Sequence, residues 1–119
     1  MRLKIKKMKQ AEIRLHIELD EQNLPDKLFW EATDAPQMGI KEAKAVNLSI
    51  WDGQQRETMR IDLWAKDMLE DEMKYFVIDT MAGMADTILS ATKDEQMANE
   101  IHNLCEKLYL YVRKQYGQQ

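Results

Sequence analysis

The hydrophobic period of this chain changes once, close to Trp64, and that change limits the fold more than any other feature. Up to Trp64, apolar residues tend to recur at every second position; beyond it they recur at every third and fourth. The first spacing puts apolar side chains on one face of a strand, the second on one stripe of a helix. The chain is therefore expected to lay down its strands first and its helices second.

The segment "AEIRLHIELD" (11–20) alternates cleanly, with Ile13, Leu15, Ile17 and Leu19 on one face and Glu12, Arg14, His16 and Glu18 on the other. That is the pattern of a half-buried strand. "NLPD" carries turn chemistry, because Pro25 fixes φ and Asp26 can bond locally. "KLFWEA" then reads as a short strand, Leu28 and Trp30 facing one way and Phe29 the other. Pro36 and Gly39 break the loop "TDAPQMG".

"AKAVNLSIWDGQQRETMRIDLW" reads as a hairpin with its tip at Asp52-Gly53. That tip pairs Trp51 with Arg56, Leu48 with Met59 and Val46 with Ile61, so apolar residues oppose one another. The other face receives Asn47, Ser49 and Trp51 against Thr58, Arg60, Asp62 and Trp64. The helical stripe that follows runs through Met73, Phe76, Val77, Thr80, Met81, Met84 and Ile88. "ATKDE" interrupts it. A second helix begins near Asp94, with Met97, Ile101, Leu104, Leu108, Tyr111 and Val112 on its stripe, and ends near Gly117. The expected fold is α+β: a four-stranded antiparallel sheet followed by two amphipathic helices packed on one face, in the order ββββαα, as two layers. Residues 11–119 are read as a single domain and residues 1–10 as a basic N-terminal arm. The strand order is left open between consecutive neighbours and a Greek key.

Charge narrows the partners. Residues 1–10 hold Arg2, Lys4, Lys6, Lys7 and Lys9 and no acid. Taking those five from the 17 basic residues leaves 12 against 21 acids, a body of −9. Such a body repels nucleic acid and anionic lipid. The arm itself suits an acidic partner or a membrane surface, or is a terminus without a role; Met8 is an alternative start that would remove it. No run approaches the ~18 apolar residues that span a bilayer, and the N-terminus lacks the apolar segment of a secretory signal. A single cysteine, Cys105, cannot form an internal disulfide. The expected location is the cytoplasm, with a peripheral place at the inner membrane left open.

Three groups of residues invite a chemical reading. Asp62, Asp67, Glu70, Asp71 and Glu72 crowd the strand-to-helix junction. Asp67 and Glu70 have capping-box spacing, and Asp71 and Glu72 fill the first turn, where the helix dipole favours anions. A general acid or base would need a buried carboxyl with a raised pKa, which solvated first-turn acids lack. His102-x-x-Cys105 lies on one helical face, but two ligands do not make a zinc site. His16 is the only other histidine. There is no phosphate-binding glycine loop and no nucleophile elbow. No catalytic residue, metal ligand or cofactor is expected. The methionines of the first stripe, Met73, Met81 and Met84, suit either core filling or an adaptable apolar surface.

The third group is aromatic. Trp51, Trp64 and Phe29, with Arg60, fall by parity on the sheet face away from Ile61 and Leu63. With helices on the opposite face they would lie outside, as a contact surface for another protein. The predicted register sets the tryptophans eight residues apart, about 26 Å, so they do not make one patch.

Several segments resemble the gliding motility-associated GldC family of Bacteroidetes: "AEIRLHIELDEQNLPDKLFWEATD", "EAKAVNLSIWD", "RIDLWAKDM", "DEMKYF", "TMAGMADT" and "ATKDEQMA". The resemblance runs from about Ala11 to Tyr109. It departs at Ala35-Pro36, where the family tends to Gly-Gly, and at Leu69-Glu70, where it tends to Pro-Val. The resemblance implies a small soluble cytoplasmic protein of the gliding machinery, which overlaps functionally with type IX secretion. It further implies an accessory role with no enzyme activity and no known cofactor, and supplies no catalytic residue. The expected partners are gliding or secretion machinery proteins, with no nucleic acid and no integral membrane segment. The tryptophan-bearing face and an unclaimed strand edge also permit a homo-oligomer. A second reading is an export chaperone or peptide-binding module like SecB, which shares the element order. An enzyme, the third reading, would need a deep pocket with a perturbed carboxylate or a metal at His102 and Cys105.

Overall fold

A computed structural model describes residues 9–34 and 39–117. The basic arm, apart from Lys9 and Gln10, and the Ala35-Pro36 break lie outside the described residues. The chain divides into two compact units, Met1–Asp67 and Met68–Gln119. The first holds every strand, the second both helices.

The strands are β1 (Ile13–Leu19), β2 (Pro25–Ala32), β3 (Lys41–Ala43), β4 (Ala45–Asp52) and β5 (Glu57–Trp64). They form two antiparallel sheets, ordered β1-β2-β3 and β4-β5. This corrects the expected single sheet of four strands. The extra strand arises at Lys44, where the chain changes partner. Lys41–Ala43 pairs with Leu28–Trp30 of β2, whereas Ala45 onward pairs with β5. At the change, the Lys44 carbonyl accepts a hydrogen bond from Ala65 N–H at 2.8 Å. Among the described residues all pairings join consecutive strands, without the Greek-key alternative.

The turn between β1 and β2 is organised by Asp20, whose Oδ1 accepts from Gln22 N at 2.8 Å and Leu24 N at 3.0 Å. Asn23 there adopts a left-handed φ of 63°, which asparagine tolerates better than most residues. β2 begins at Pro25, two residues before the expected strand. A proline has no N–H to offer a ladder, so the first position of a strand suits it. Ile17, Leu28 and Ala43 align across the sheet, and Leu28 is only 1% exposed; the half-buried β1 expected from its alternation is not found, because every residue from Ile13 to Leu19 is exposed and the burial falls on β2 instead.

The β4–β5 hairpin forms with a register two residues away from the expected one. Ala45 lies opposite Trp64, Leu48 opposite Ile61, Ile50 opposite Met59 and Asp52 opposite Glu57. Asp52 is the last paired residue rather than part of the tip. Its carboxylate accepts from Gln54 N and Gln55 N, its carbonyl accepts from Arg56 N, and Arg56 takes a φ of 56°. A slip of two leaves every side chain on its expected face, since the period of a strand is two. It also improves the match, because Ile50 now meets Met59.

The second unit is a helical hairpin of α1 (Glu70–Thr92) and α2 (Glu95–Gln115). Contacts of Asp86 with His102 near the turn and Lys74 with Gln115 at the far end show the helices antiparallel. Asp94 caps α2 as expected, accepting from Met97 N at 3.0 Å. Lys93 closes α1 in the left-handed conformation, with its N–H on Leu89 O. The N-terminus of α1 differs from expectation. Leu69, not Asp67, is the cap residue, and no side chain caps it. Glu70, Asp71 and Glu72 do occupy the first turn.

The helices meet along a stripe that keeps Met81, Ile101, Leu108 and Val112 of the expected ones and replaces much of the rest. Ile78, Cys105 and Val112 form the buried cluster, flanked by Tyr75, Met81, Ala82, Ile101 and Leu108. Ala85 and Ala98 are buried near the turn. Val77 and Met84 on α1, and Met97, Leu104 and Tyr111 on α2, all assigned to the apolar stripes from sequence, are exposed. α1 carries apolar residues around most of its circumference, so its period alone does not select the packing face. The expected helix-on-sheet layering would set one unit against the other; each unit's own interior is what the structure defines.

Candidate interaction surface

The aromatic face of the β4–β5 ribbon is built by alternation. Reading across its pairs, it carries Ala45 and Trp64, Asn47 and Asp62, Ser49 and Arg60, then Trp51 and Thr58. Trp51 is 60% exposed and Trp64 53%. Between them lies a polar cluster. Arg60 Nη2 is 3.3 Å from Asp62 Oδ2, and Asn47 donates its side-chain N–H to Asp62. Six residues separate Thr58, which faces Trp51, from Trp64, so the tryptophans stand about 20 Å apart along the ribbon. That is closer than the predicted register implied, and still not one patch.

Phe29 does not join them. It lies on β2 in the three-stranded sheet, half-buried, with its ring 6.3 Å from that of His16 on β1. The four residues singled out from sequence therefore divide: Trp51, Trp64 and Arg60 share the ribbon, and Phe29 belongs to a different sheet. The split follows from Lys44.

The opposite ribbon face carries Val46, Leu48, Ile50, Met59, Ile61 and Leu63. Sequence reading assigned it to the core. In the structure Leu48, Ile50 and Ile61 are exposed, and Met59 is 65% exposed.

Two charged anchors hold the ribbon's base, and sequence reading found neither. Lys44 Nζ lies 2.9 Å from Asp67 Oδ2, and Lys66 Nζ lies 3.3 Å from Asp20 Oδ2. Lys66 N–H also donates to Pro25 O at 3.2 Å. The hydrogen bond from Lys44 draws the Asp67 carboxyl below its ordinary pKa and raises that of Lys44. The backbone N–H of Leu24, with Lys66 adding to it, holds Asp20 low. The partners are 23 and 46 residues apart in sequence, so no local pattern announces them. Asp67, expected as a helix cap, is thus engaged with the strand unit.

The remaining candidates do not converge. His102 Nε2 meets Asp86 Oδ1 at 3.0 Å, while the Cys105 thiol is buried 3.6 Å from Ile78 O. Among the described residues, no three His, Cys, Asp or Glu side chains are placed to hold a metal ion. None of the described helices is long and apolar enough to cross a membrane.

The described elements define an α+β chain of two small antiparallel sheets followed by a helical hairpin, with large aromatic side chains exposed on a β-ribbon. The chain belongs to the gliding motility-associated protein GldC-like family, whose model matches residues 25–114. The match extends from the first residue of β2 through most of α2. It connects the chain with gliding motility. No curated protein and no solved structure matches this chain.

Proposed function

We propose that this chain is a non-enzymatic accessory protein of the gliding motility machinery and its associated type IX secretion system, acting through protein–protein contacts. The observation that carries this reading is the exposure of Trp51 and Trp64 on one ribbon face, with Arg60 between them. Tryptophan and arginine supply much of the binding energy at protein interfaces. The partner is a protein of the machinery, met in the cytoplasm or at the inner membrane surface. The acidic body argues against nucleic acid.

The test is affinity capture of the tagged chain from gliding cells, with cross-linking and mass spectrometry. Capture of a few machinery components through the ribbon supports the reading. Trp64→Ala should leave the circular dichroism unchanged and reduce that capture. Undiminished capture would remove the aromatic face from the proposal.

A second reading, a chaperone-like module resembling SecB, draws on the exposed apolar face at Leu48, Ile50, Met59 and Ile61. It predicts suppression of client aggregation, and a chain inactive in that assay would dismiss it.

A further inference from the structure

The two sheets treat their edges differently. In the three-stranded sheet, β1 carries a register shift between Glu18 and Leu19, and β3 is three residues long. A bulge and a short strand each blunt an edge against further pairing. The ribbon has neither. β5 is eight residues long, pairs with β4 without a shift, and contains no proline, glycine or lysine. Among the described residues its ladder is with β4 alone; β2 approaches its C-terminal end, where the Lys66 N–H just beyond the strand donates to Pro25 O at 3.2 Å, and all its residues except Leu63 are exposed. A two-stranded ribbon alone is marginally stable.

The sequence of β5 is complementary to its own reverse. An antiparallel copy centred on Ile61 sets Ile61 against Ile61, Met59 against Leu63, Arg60 against Asp62 and Thr58 against Trp64. Apolar residues meet on one face. On the other, each Arg60 faces the second copy's Asp62, which closes an alternating ring of four charges. Moving the centre by one residue puts Arg60 opposite Arg60, or Asp62 opposite Asp62. Centring between residues joins unlike faces. β4 offers no such selection, because its only charge is the terminal Asp52.

We propose that β5 pairs with β5 of a second copy about a two-fold axis through Ile61, joining two ribbons into a four-stranded antiparallel sheet. Thr58 then lies opposite Trp51 of its own chain and opposite the second copy's Trp64. Trp51 and the second copy's Trp64 stand in one row two strands apart, about 10 Å. Two tryptophans that are distant in one chain become neighbours across the dimer. The accessory reading holds with or without this pairing.

The test is sedimentation equilibrium on the full chain, its Arg60→Glu and Asp62→Arg variants, and the swapped Arg60→Asp/Asp62→Arg double variant. Wild type should dimerise. Each single variant places two like-charge pairs at the axis and should weaken the dimer about tenfold or more. The swap should restore it. A monomeric wild type, single variants that dimerise as well as wild type, or a natively folded swap that stays monomeric would each overturn the proposal. Should the single variants unfold, Ile61→Cys gives an independent reading. Across the axis its Cα atoms fall within disulfide range, whereas those of Met59→Cys are about 13 Å apart. Ile61→Cys should form an intermolecular disulfide readily and Met59→Cys should not. Equal cross-linking, or none at Ile61→Cys, refutes the axis.

Discussion

Which face of α1 meets α2 can be tested with two neighbouring substitutions, Ile78→Ala and Val77→Ala. Ile78 is 7% exposed in the helical hairpin, and Val77 is 46% exposed. Ile78→Ala removes three buried carbons, about 2.4 kcal/mol at ~0.8 kcal/mol each, before any cavity is counted. The cavity beside Cys105 and Val112 brings the expected loss to about 3–5 kcal/mol. Val77→Ala removes two carbons that are roughly half exposed, about 0.9 kcal/mol. Both changes replace a β-branched residue with alanine, and the helix-propensity gain of up to ~0.7 kcal/mol is shared. The difference between the variants therefore isolates burial, and should be about 1.5 kcal/mol or more. Urea unfolding followed by far-ultraviolet circular dichroism reads the helices directly, with equal m-values as the check that both variants unfold as wild type does. If Val77→Ala costs as much as Ile78→Ala, the helices meet along the stripe through Met73, Val77 and Met84, and the hairpin core described above is wrong.

Asp94→Ala removes the side-chain cap of α2 and should lower stability by about 1 kcal/mol in the same assay, with Asp94→Ser recovering most of it. Asp52→Ala removes the acceptor for Gln54 N–H and Gln55 N–H; the tip should lose its single register, seen as faster amide exchange at both residues. Lys44→Met should raise the Asp67 carboxyl pKa toward its ordinary value in an NMR titration. Because the folded pKa lies below the unfolded one, the stability from this pair is present above the ordinary carboxylate range and is lost as pH falls through the folded value. The variant should therefore lose less stability than wild type on acidification.

The order of strands before helices, the alternation of Ile13 to Leu19, the hairpin around Asp52-Gly53, the Asp94 cap and the end at Gly117 were all legible in the sequence. Each rests on a local rule: a period of two or 3.6, a turn residue, or a side chain reaching its own backbone. The faces of β4 and β5 were legible for the same reason, and a slip of two residues left them intact. Tertiary structure decided the rest. Lys44 ends one pairing and begins another because Ala65 N–H and the Asp67 carboxylate meet it from 21 and 23 residues away. That exchange divides one expected sheet into two, and it removes Phe29 from Trp51, Trp64 and Arg60. α1 has apolar residues on more than one side, so its contact face is chosen by which stripe of α2 fits it, Ile78 against Cys105 and Val112. Periodicity states that a residue prefers to be buried; only the partner's shape and position state where.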